Sequence, residues 1–169
     1  YSSRIEYLFD LISKKKSNDK DELTTFLRFE EMVREKNDVE GLWHLWLKVE
    51  SYFATLLSWY TDRNYYHKIG YLIAETDNNV LVDLLDKSAK LTKTKFNKSL
   101  DWLIRLHLTD RNINTNVYSY NYDENRNELC RLLFFFNVES TRIATTQDKF
   151  PFGLYKATNW TLEHIHAQN

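Results

Sequence analysis

The sequence has very little of the residues that break up or cross-link a chain. Three Gly, one Pro and one Cys occur among 169 residues, whereas Gly and Pro usually account for about 7% and 5% of a chain. This scarcity argues against an all-β fold with many tight turns and against a collagen-like repeat. The single Cys130 excludes an internal disulfide and every zinc site that needs several thiolates.

The sequence also lacks an excess of one charge and any long apolar run. It carries 23 basic and 24 acidic residues, for a formal net charge of -1, so no overall field draws it to nucleic acid or to an anionic membrane. No apolar run approaches the roughly 18 residues of a membrane-spanning helix, and the first residues do not have the pattern of a signal peptide. We therefore expect a cytoplasmic protein with no membrane partner.

Apolar and aromatic side chains are abundant. Hydrophobic residues make up 43% of the chain and aromatic residues 15%, which is enough to build a core that offsets the entropy of ordering. The longest series at helical spacing predicts a helix from Val39 to Tyr60 that buries Trp46, Val49 and Phe53. The sequence therefore predicts an all-α fold, an irregular multi-helix bundle with a short extended segment at its C-terminal end.

Capping residues and local composition predict further secondary-structure elements. Asp21, Asp62 and Asp123 each precede an apolar series and are predicted helix caps. The helix from Asp123 to about Val138 is expected to be buried nearly all round, because apolar residues surround it. Residues Phe150–Gly153 are predicted to be extended or a turn, since the residue before Pro disfavours the helical region. Helical spacing also predicts that three tryptophans lie in the core: Trp43, Trp46 and Trp59. Three isolated histidines are expected to be hydrogen-bonded within the fold: His44, His67 and His107.

The most suggestive chemistry lies between Trp160 and Asn169. Glu163 directly precedes His164, so a divalent ion held by the carboxylate could neutralise phosphate charge while the neutral imidazole takes a proton from water. In an extended strand His164 and His166 would share a face, which leaves a His-x-His metal site open. The alternative is a solvated strand end whose histidines have no catalytic role.

Residues Trp160 to Gln168 have the pattern Trp-x-Leu-Glu-His-Ile-x-x-Gln. This pattern resembles the start of the HNH (ββα-metal) domain in GmrSD-type, type IV modification-dependent restriction systems. Upstream, Trp59-Tyr60, Tyr66 to Ile73 and Phe150-Pro151-Phe152 are similar to the helical region that follows the ParB-like NTPase domain in the same proteins. The resemblance covers most of the chain, and its most specific part is the Glu-His-Ile segment.

The resemblance implies a division of labour along the chain. Residues 1–158 would form a helical connector domain, and residues 159–169 would be the truncated start of an HNH nuclease motif. Glu163 would correspond to the metal-binding acid and His164 to the general base. The complete parent protein would use Mg²⁺ or Mn²⁺ and act on DNA.

Two departures from the HNH pattern accompany the resemblance. His166 and Ala167 stand where such motifs often carry an apolar residue and a proline, and the downstream Asn of the motif is absent from the 169 residues. We therefore expect the chain by itself to bind no cofactor and to be inactive. The alternative function is a non-catalytic helical protein-interaction module.

A run of lysines is the second candidate site. Five of them lie within twelve residues, with no acid between Asp86 and Asp101: Lys87, Lys90, Lys93, Lys95 and Lys98. Such a run could contact DNA phosphates, each contact adding a salt-dependent increment, or it could be the solvated surface of a helix–loop–helix. The alternating tyrosines likewise could stack on bases or pack a loop onto the bundle: Tyr118, Tyr120 and Tyr122.

Overall fold

A computed structural model of the protein describes residues 4–16, 18–19, 21–76, 79–110, 113, 119–146 and 148–157. Within these ranges the chain forms helices and no β-strand, so the predicted all-α fold is confirmed. The predicted extended C-terminal segment lies outside the described residues. The eight helices of the described ranges are α1 (Arg4–Ser13), α2 (Thr24–Arg34), α3 (Asp38–Thr61), α4 (Arg63–Glu75), α5 (Asn79–Ser88), α6 (Lys93–Asp110), α7 (Arg126–Ile143) and α8 (Phe152–Ala157).

The chain divides into two compact units. Unit 1 comprises Tyr1–Thr61 and Asn78–Leu91, and unit 2 comprises Asp62–Asp77 and Thr92–Asn169. Unit 1 therefore contains α1, α2, α3 and α5, whereas unit 2 contains α4, α6, α7 and α8. No described helix of either unit is long and apolar enough to cross a bilayer.

In unit 1, α1 and α2 pack on α3. At the closest approach of α2 to α3, a Cβ added to Gly41 would lie 2.1 Å from the Val33 carbonyl oxygen. Glycine usually weakens a helix interior by about 1 kcal/mol relative to alanine, but here it allows the two backbones to touch. The buried apolar side chains of this unit come from α1, α3 and α5: Leu8, Leu11, Ile12, Val49, Tyr52, Trp59, Leu81, Leu84 and Leu85.

Asp86 connects three helices of unit 1. Its carboxylate accepts hydrogen bonds from the Tyr52 hydroxyl at 3.0 Å and from the Lys14 ammonium at 3.1 Å. Burial, together with the hydrogen bond to Asp86 and its charge, raises the pKa of Tyr52 to about 12. The tyrosine therefore remains a hydrogen-bond donor throughout the physiological pH range, and α1, α3 and α5 share one polar anchor.

The predicted long helix is confirmed as α3, but the prediction of its buried face is wrong. Val49 is buried as expected, whereas Trp46 and Phe53 are 52% and 59% exposed. Trp43, also predicted to lie in the core, is exposed. The buried residues instead follow a different line along the same helix: Val49, Tyr52 and Trp59. Apolar residues cover more than one side of α3, so their spacing alone does not tell which side faces the core.

One of the three predicted helix caps is correct. The Asp62 side chain caps α4 by accepting a hydrogen bond from the Tyr65 backbone N–H at 3.0 Å. The predictions for Asp21 and Asp123 are wrong, because α2 and α7 each begin three residues further along the chain. The Asp21 carboxylate instead accepts from the backbone N–H of Leu23 at 2.9 Å, which closes a turn before the helix starts.

In unit 2, α7 is buried on one side rather than all round as predicted. Phe134 and Val138 are 4% and 1% exposed, whereas Phe136 is 62% exposed. The reason is that α7 packs mainly on α4 and so covers one face. The prediction that Phe150–Gly153 is extended or a turn is wrong for Phe152 and Gly153, because α8 begins at Phe152. Pro151 directly precedes this helix, where its missing backbone N–H costs no helical hydrogen bond.

Candidate functional site at the α4 junction of unit 2

The predicted nuclease residues lie outside the described part of the chain. Glu163, His164 and His166 all belong to residues 158–169, beyond the last described residue of α8. Their assignment as metal-binding acid and general base therefore remains a prediction.

The five lysines of the candidate DNA-binding run are all exposed. They are divided between the two units: Lys87 and Lys90 belong to unit 1, whereas Lys93, Lys95 and Lys98 belong to α6 of unit 2. Lys95 and Lys98 are three residues apart in α6 and so lie on neighbouring turns of one face. Lys95 and Lys98 are therefore close together, and DNA binding by the run remains a prediction.

The predicted tyrosine platform is described only in part. Tyr118 lies outside the described residues, while Tyr120 and Tyr122 are half-buried. The guanidinium carbon of Arg126 lies 5.7 Å from the centroid of the Tyr122 ring, a distance suited to a cation–π contact. This contact favours the packing interpretation for Tyr122.

Unit 2 instead brings together two segments that are far apart in sequence, at a place we call the α4 junction: the α4 residues Tyr66, His67 and Gly70 with Phe150 and Phe152. The Tyr66 hydroxyl donates to the Phe150 carbonyl at 3.0 Å. A Cβ added to Gly70 would lie 2.3 Å from Cε2 of Phe152, so the aromatic ring rests directly on the helix backbone. Glycine is required here for close packing between α4 and α8.

His67 is the polar centre of the α4 junction. Its side chain is fully buried, and its Nδ1 lies 2.7 Å from the carbonyl oxygen of Arg63. The Phe150 backbone N–H points at Nε2 from 3.2 Å. Because that N–H is a donor, Nε2 must accept, and the single ring proton is on Nδ1, which donates to the Arg63 carbonyl. Both ring nitrogens are thus used, and the neutral tautomer is fixed.

The surroundings of His67 favour its neutral form. Burial lowers its pKa below the ordinary value of 6.5; the hydrogen bond to the Arg63 carbonyl opposes this effect, and the nearby Arg63 and Arg142 charges add to it. A second proton would also place a donor on Nε2, facing the donor of Phe150. Protonation of His67 and the native contact with Phe150 are therefore in conflict.

This conflict predicts a pH-dependent stability. In the unfolded chain His67 is protonated near pH 6.5, whereas in the folded chain it is protonated only at lower pH. The contribution of neutral His67 to the free energy of unfolding is therefore complete above pH 6.5. It is lost as the pH falls through the pKa of His67 in the folded state. We expect the loss of stability between pH 7.5 and 5.5 to be smaller in His67→Gln than in wild type, because glutamine takes up no proton in this range. Urea denaturation at several pH values measures this difference. An unchanged pH dependence in His67→Gln would contradict the assignment.

A polar network extends from the next residue of α4. The Lys68 side chain is 7% exposed, and its ammonium lies 2.5 Å from an Asp101 carboxylate oxygen and donates to Asn97 Oδ1 at 2.9 Å. Asn64 donates to the same Asn97 oxygen at 2.7 Å and accepts from Arg142 at 3.1 Å. Asp101 is 45% exposed, so only the lysine end of this ion pair is buried, and removing Asp101 would leave a buried ammonium without a paired charge. The network therefore fixes the mutual positions of α4, α6 and α7.

Sequence reasoning missed this network, although a signal for it exists. Asn64 and Lys68 are four residues apart in α4, and Asn97 and Asp101 are four residues apart in α6. Residues four apart lie on one face of a helix, so each helix presents a pair of polar groups within an otherwise apolar surface. Two such pairs could have been predicted to face each other.

The residues of the α4 junction hold two segments of the chain together and do not form a metal site. Among the described residues, no cluster of three or more His, Cys, Asp or Glu side chains could hold a metal ion. His67 uses both ring nitrogens within the protein, so it cannot act as a ligand or a base without giving up a native hydrogen bond. The junction can hold the start of α8 firmly against α4.

Comparison with known proteins leaves this geometry and the sequence itself as the basis for a functional assignment. No protein-family profile matches the chain, and neither the curated proteins nor the solved structures contain a significant match.

Proposed function

We propose that this chain is the helical connector of a GmrSD-like restriction protein, between a ParB-like NTPase domain and an HNH nuclease domain. In this proposal the parent protein is a cytoplasmic bacterial endonuclease that cleaves modified foreign DNA in phage defence. The connector contributes the scaffold that carries the start of the nuclease motif. The observation that carries the proposal is the α4 junction.

The α4 junction joins two of the three segments that resemble the helical region of these proteins, Tyr66 to Ile73 and Phe150 to Phe152; the third, Trp59-Tyr60, belongs to α3 of unit 1. The two joined segments are separated by more than seventy residues in sequence, yet Tyr66 and His67 both bond to the backbone of Phe150. Lys156 of α8 adds a hydrogen bond to the Ile73 carbonyl at 3.1 Å. Two similarities noticed separately in the sequence thus belong to one packed structure, which supports reading them as one region.

The same contacts bear on the candidate nuclease motif. Glu163 follows Ala157, the last residue of α8, by six positions in the sequence. A helix clamped to α4 gives the chain that leads to Glu163 and His164 a fixed point of departure. Catalytic groups need supporting contacts of this kind, because small errors in their position are costly.

The donor set of the motif suits a hard divalent cation. A carboxylate such as Glu163 is the type of ligand that Mg²⁺ and Mn²⁺ prefer, and the bound ion would neutralise charge on the phosphodiester. His164 would accept the proton of the attacking water. One carboxylate under-coordinates the ion, so the proposal requires further ligands from the parent protein.

Plasmid cleavage by the full-length parent tests this proposal. We expect His164→Ala to lower cleavage by about 10²–10⁴-fold, the usual effect of removing a general base, while nucleotide hydrolysis continues. Glu163→Ala should do similar damage, and additional Mg²⁺ or Mn²⁺ should partly relieve it. His44→Ala is the matched control, since this exposed histidine of α3 lies outside the motif. Equal plasmid cleavage by wild type and His164→Ala would contradict the assignment of this segment to a nuclease.

A non-catalytic interaction module is the second candidate function. The observation that favours it is the apolar face of α3 left exposed in unit 1, where Trp43, Trp46 and Phe53 are all more than half exposed. Solvent exposure of such large side chains along one helix is typical of a contact surface. This function needs neither Glu163 nor His164.

A further inference from the structure

The exposed apolar side chains of α3 form a narrow stripe. At 100° per residue, those at positions 39, 42, 46, 53, 57 and 60 fall within an arc of roughly 60°. The stripe extends for about 32 Å along the helix at 1.5 Å per residue. It lies beside the buried line of Val49, Tyr52 and Trp59, and the centres of the two are roughly 90° apart around the helix. We call it the α3 stripe, and its members are Val39 (82% exposed), Leu42 (62%), Trp46 (52%), Phe53 (59%), Leu57 (49%) and Tyr60 (60%).

The spacing between members of the α3 stripe is the same from either end. Successive members are separated by 3, 4, 7, 4 and 3 positions, so the stripe is symmetric about the point between Val49 and Glu50. If a second copy of the helix lies antiparallel across that point, Trp46 of each copy meets Phe53 of the other. Leu42 meets Leu57 in the same way. A surface that matches itself under a twofold rotation is what an isologous dimer requires.

We propose that α3 is a homodimerisation helix, which pairs antiparallel with α3 of a second copy about a twofold axis near Val49 and Glu50. Spacing of 3 and 4 residues is common to apolar helix faces, but here the exposed members reverse about one point. A second copy of α3 is therefore a partner that can match the whole stripe.

The area of the stripe agrees with this partner. Buried aromatic side chains contribute about 150–250 Å² each when fully covered, and the stripe and the adjacent Trp43 contain four aromatic and three aliphatic residues that are about half to four-fifths exposed. Together they offer on the order of 600–800 Å² per copy, close to the ~800 Å² per partner of a standard interface. The largest apolar patch of an ordinary monomer is about 300–600 Å².

Glu50 sets an upper limit on the affinity. This exposed residue is not part of the stripe but is next to its centre, so the two copies would bring two carboxylates close to the twofold axis. Like charges at close range repel. We therefore expect Glu50→Gln to tighten the dimer by about threefold or more.

Charge exchange across the proposed axis tests the pairing in the 169-residue chain. Trp46→Lys alone and Phe53→Glu alone should each raise the dissociation constant by about 30-fold or more, as for central residues of an interface. An equimolar mixture of the two variants should regain dimer, because an antiparallel heterodimer has one Lys–Glu contact and one native Trp46–Phe53 contact. Sedimentation equilibrium measures the mass, and far-UV circular dichroism checks that helix content is retained.

Phe136→Glu is the matched control, since Phe136 is a 62% exposed aromatic residue on α7 and outside the stripe; it should dimerise like wild type. A wild-type chain that is monomeric at 100 µM would overturn the proposal, as would dimerisation that Trp46→Lys leaves unchanged. If wild type dimerises and the mixture does not, the antiparallel register is refuted. The measurement uses no DNA or nucleotide, so its result is independent of the nuclease proposal.

Discussion

Trp59→Ala should lower the free energy of unfolding of unit 1 by about 3–5 kcal/mol, the usual cost of truncating a buried large aromatic side chain. Trp59 is 6% exposed and lies on the buried line of α3. Its removal leaves a cavity that the surrounding helices cannot fill by small shifts, so both the transfer free energy and the packing contacts are lost. Total stabilities of about 5–15 kcal/mol are typical, and the variant should therefore unfold at a much lower urea concentration.

Trp46→Ala provides the matched comparison within the same helix. Its side chain is 52% exposed, so truncation should change the stability of the monomer by less than about 1 kcal/mol. Urea denaturation followed by far-UV circular dichroism should be done at submicromolar protein, because Trp46 also belongs to the α3 stripe. If Trp46→Ala were as damaging as Trp59→Ala, the buried and exposed faces of α3 would be wrongly placed.

Phe134→Ala should have a comparable effect on unit 2, about 3–5 kcal/mol. Its ring is 4% exposed and stacks on that of Tyr155, with centroids 3.9 Å apart and planes 5° apart. It also contacts Tyr71 of α4 and Phe150, with centroid distances of 5.5 and 5.6 Å. Phe134 therefore links three segments, and its loss removes aromatic contacts worth about 0.5–1.5 kcal/mol per pair beyond the area buried.

Phe136→Ala is the control for this second substitution, because it removes the same ring from the same helix at a 62% exposed position. We expect a change of less than about 1 kcal/mol. Hydrogen exchange of the α4 and α7 amides reports on unit 2 directly: protection should fall in Phe134→Ala and remain in Phe136→Ala. Equal loss of protection in the two variants would show that α7 is not oriented as described.

The sequence predicts the existence and length of α3 well and its orientation poorly. A long apolar series with few Gly or Pro indicates a helix whatever it packs against, so the predicted range differs from Asp38–Thr61 by one residue at each end. The buried face depends on where α1 and α2 lie, and spacing carries no such information when apolar residues surround the helix. The predicted core residues Trp46 and Phe53 belong to the neighbouring, exposed side, roughly a quarter turn around the helix from the buried line.

The candidate site divides in the same way. A lone histidine at position 67 is correctly expected to be hydrogen-bonded, but its partner Phe150 is 83 residues away and is not indicated by local pattern. Asn64 similarly bonds to Asn97 and Arg142, which are 33 and 78 residues away. The residue type shows that a polar side chain needs a hydrogen-bond partner, but tertiary packing determines which residue that partner is. The Glu163–His164 assignment depends on resemblance and stays a prediction.

The interrupted path of the chain through unit 1 has a consequence during protein synthesis. At about 5–20 residues per second, unit 1 has all its helices once residue 91 has been made. α4 is synthesised before the second segment of unit 1, but the ring that stacks on its buried Tyr71 belongs to Phe134. The ribosome needs roughly 3–13 s to reach Phe134 from Tyr71. On the nascent chain, unit 1 therefore has all its helices while the apolar face of α4 has not yet met its partner in α7.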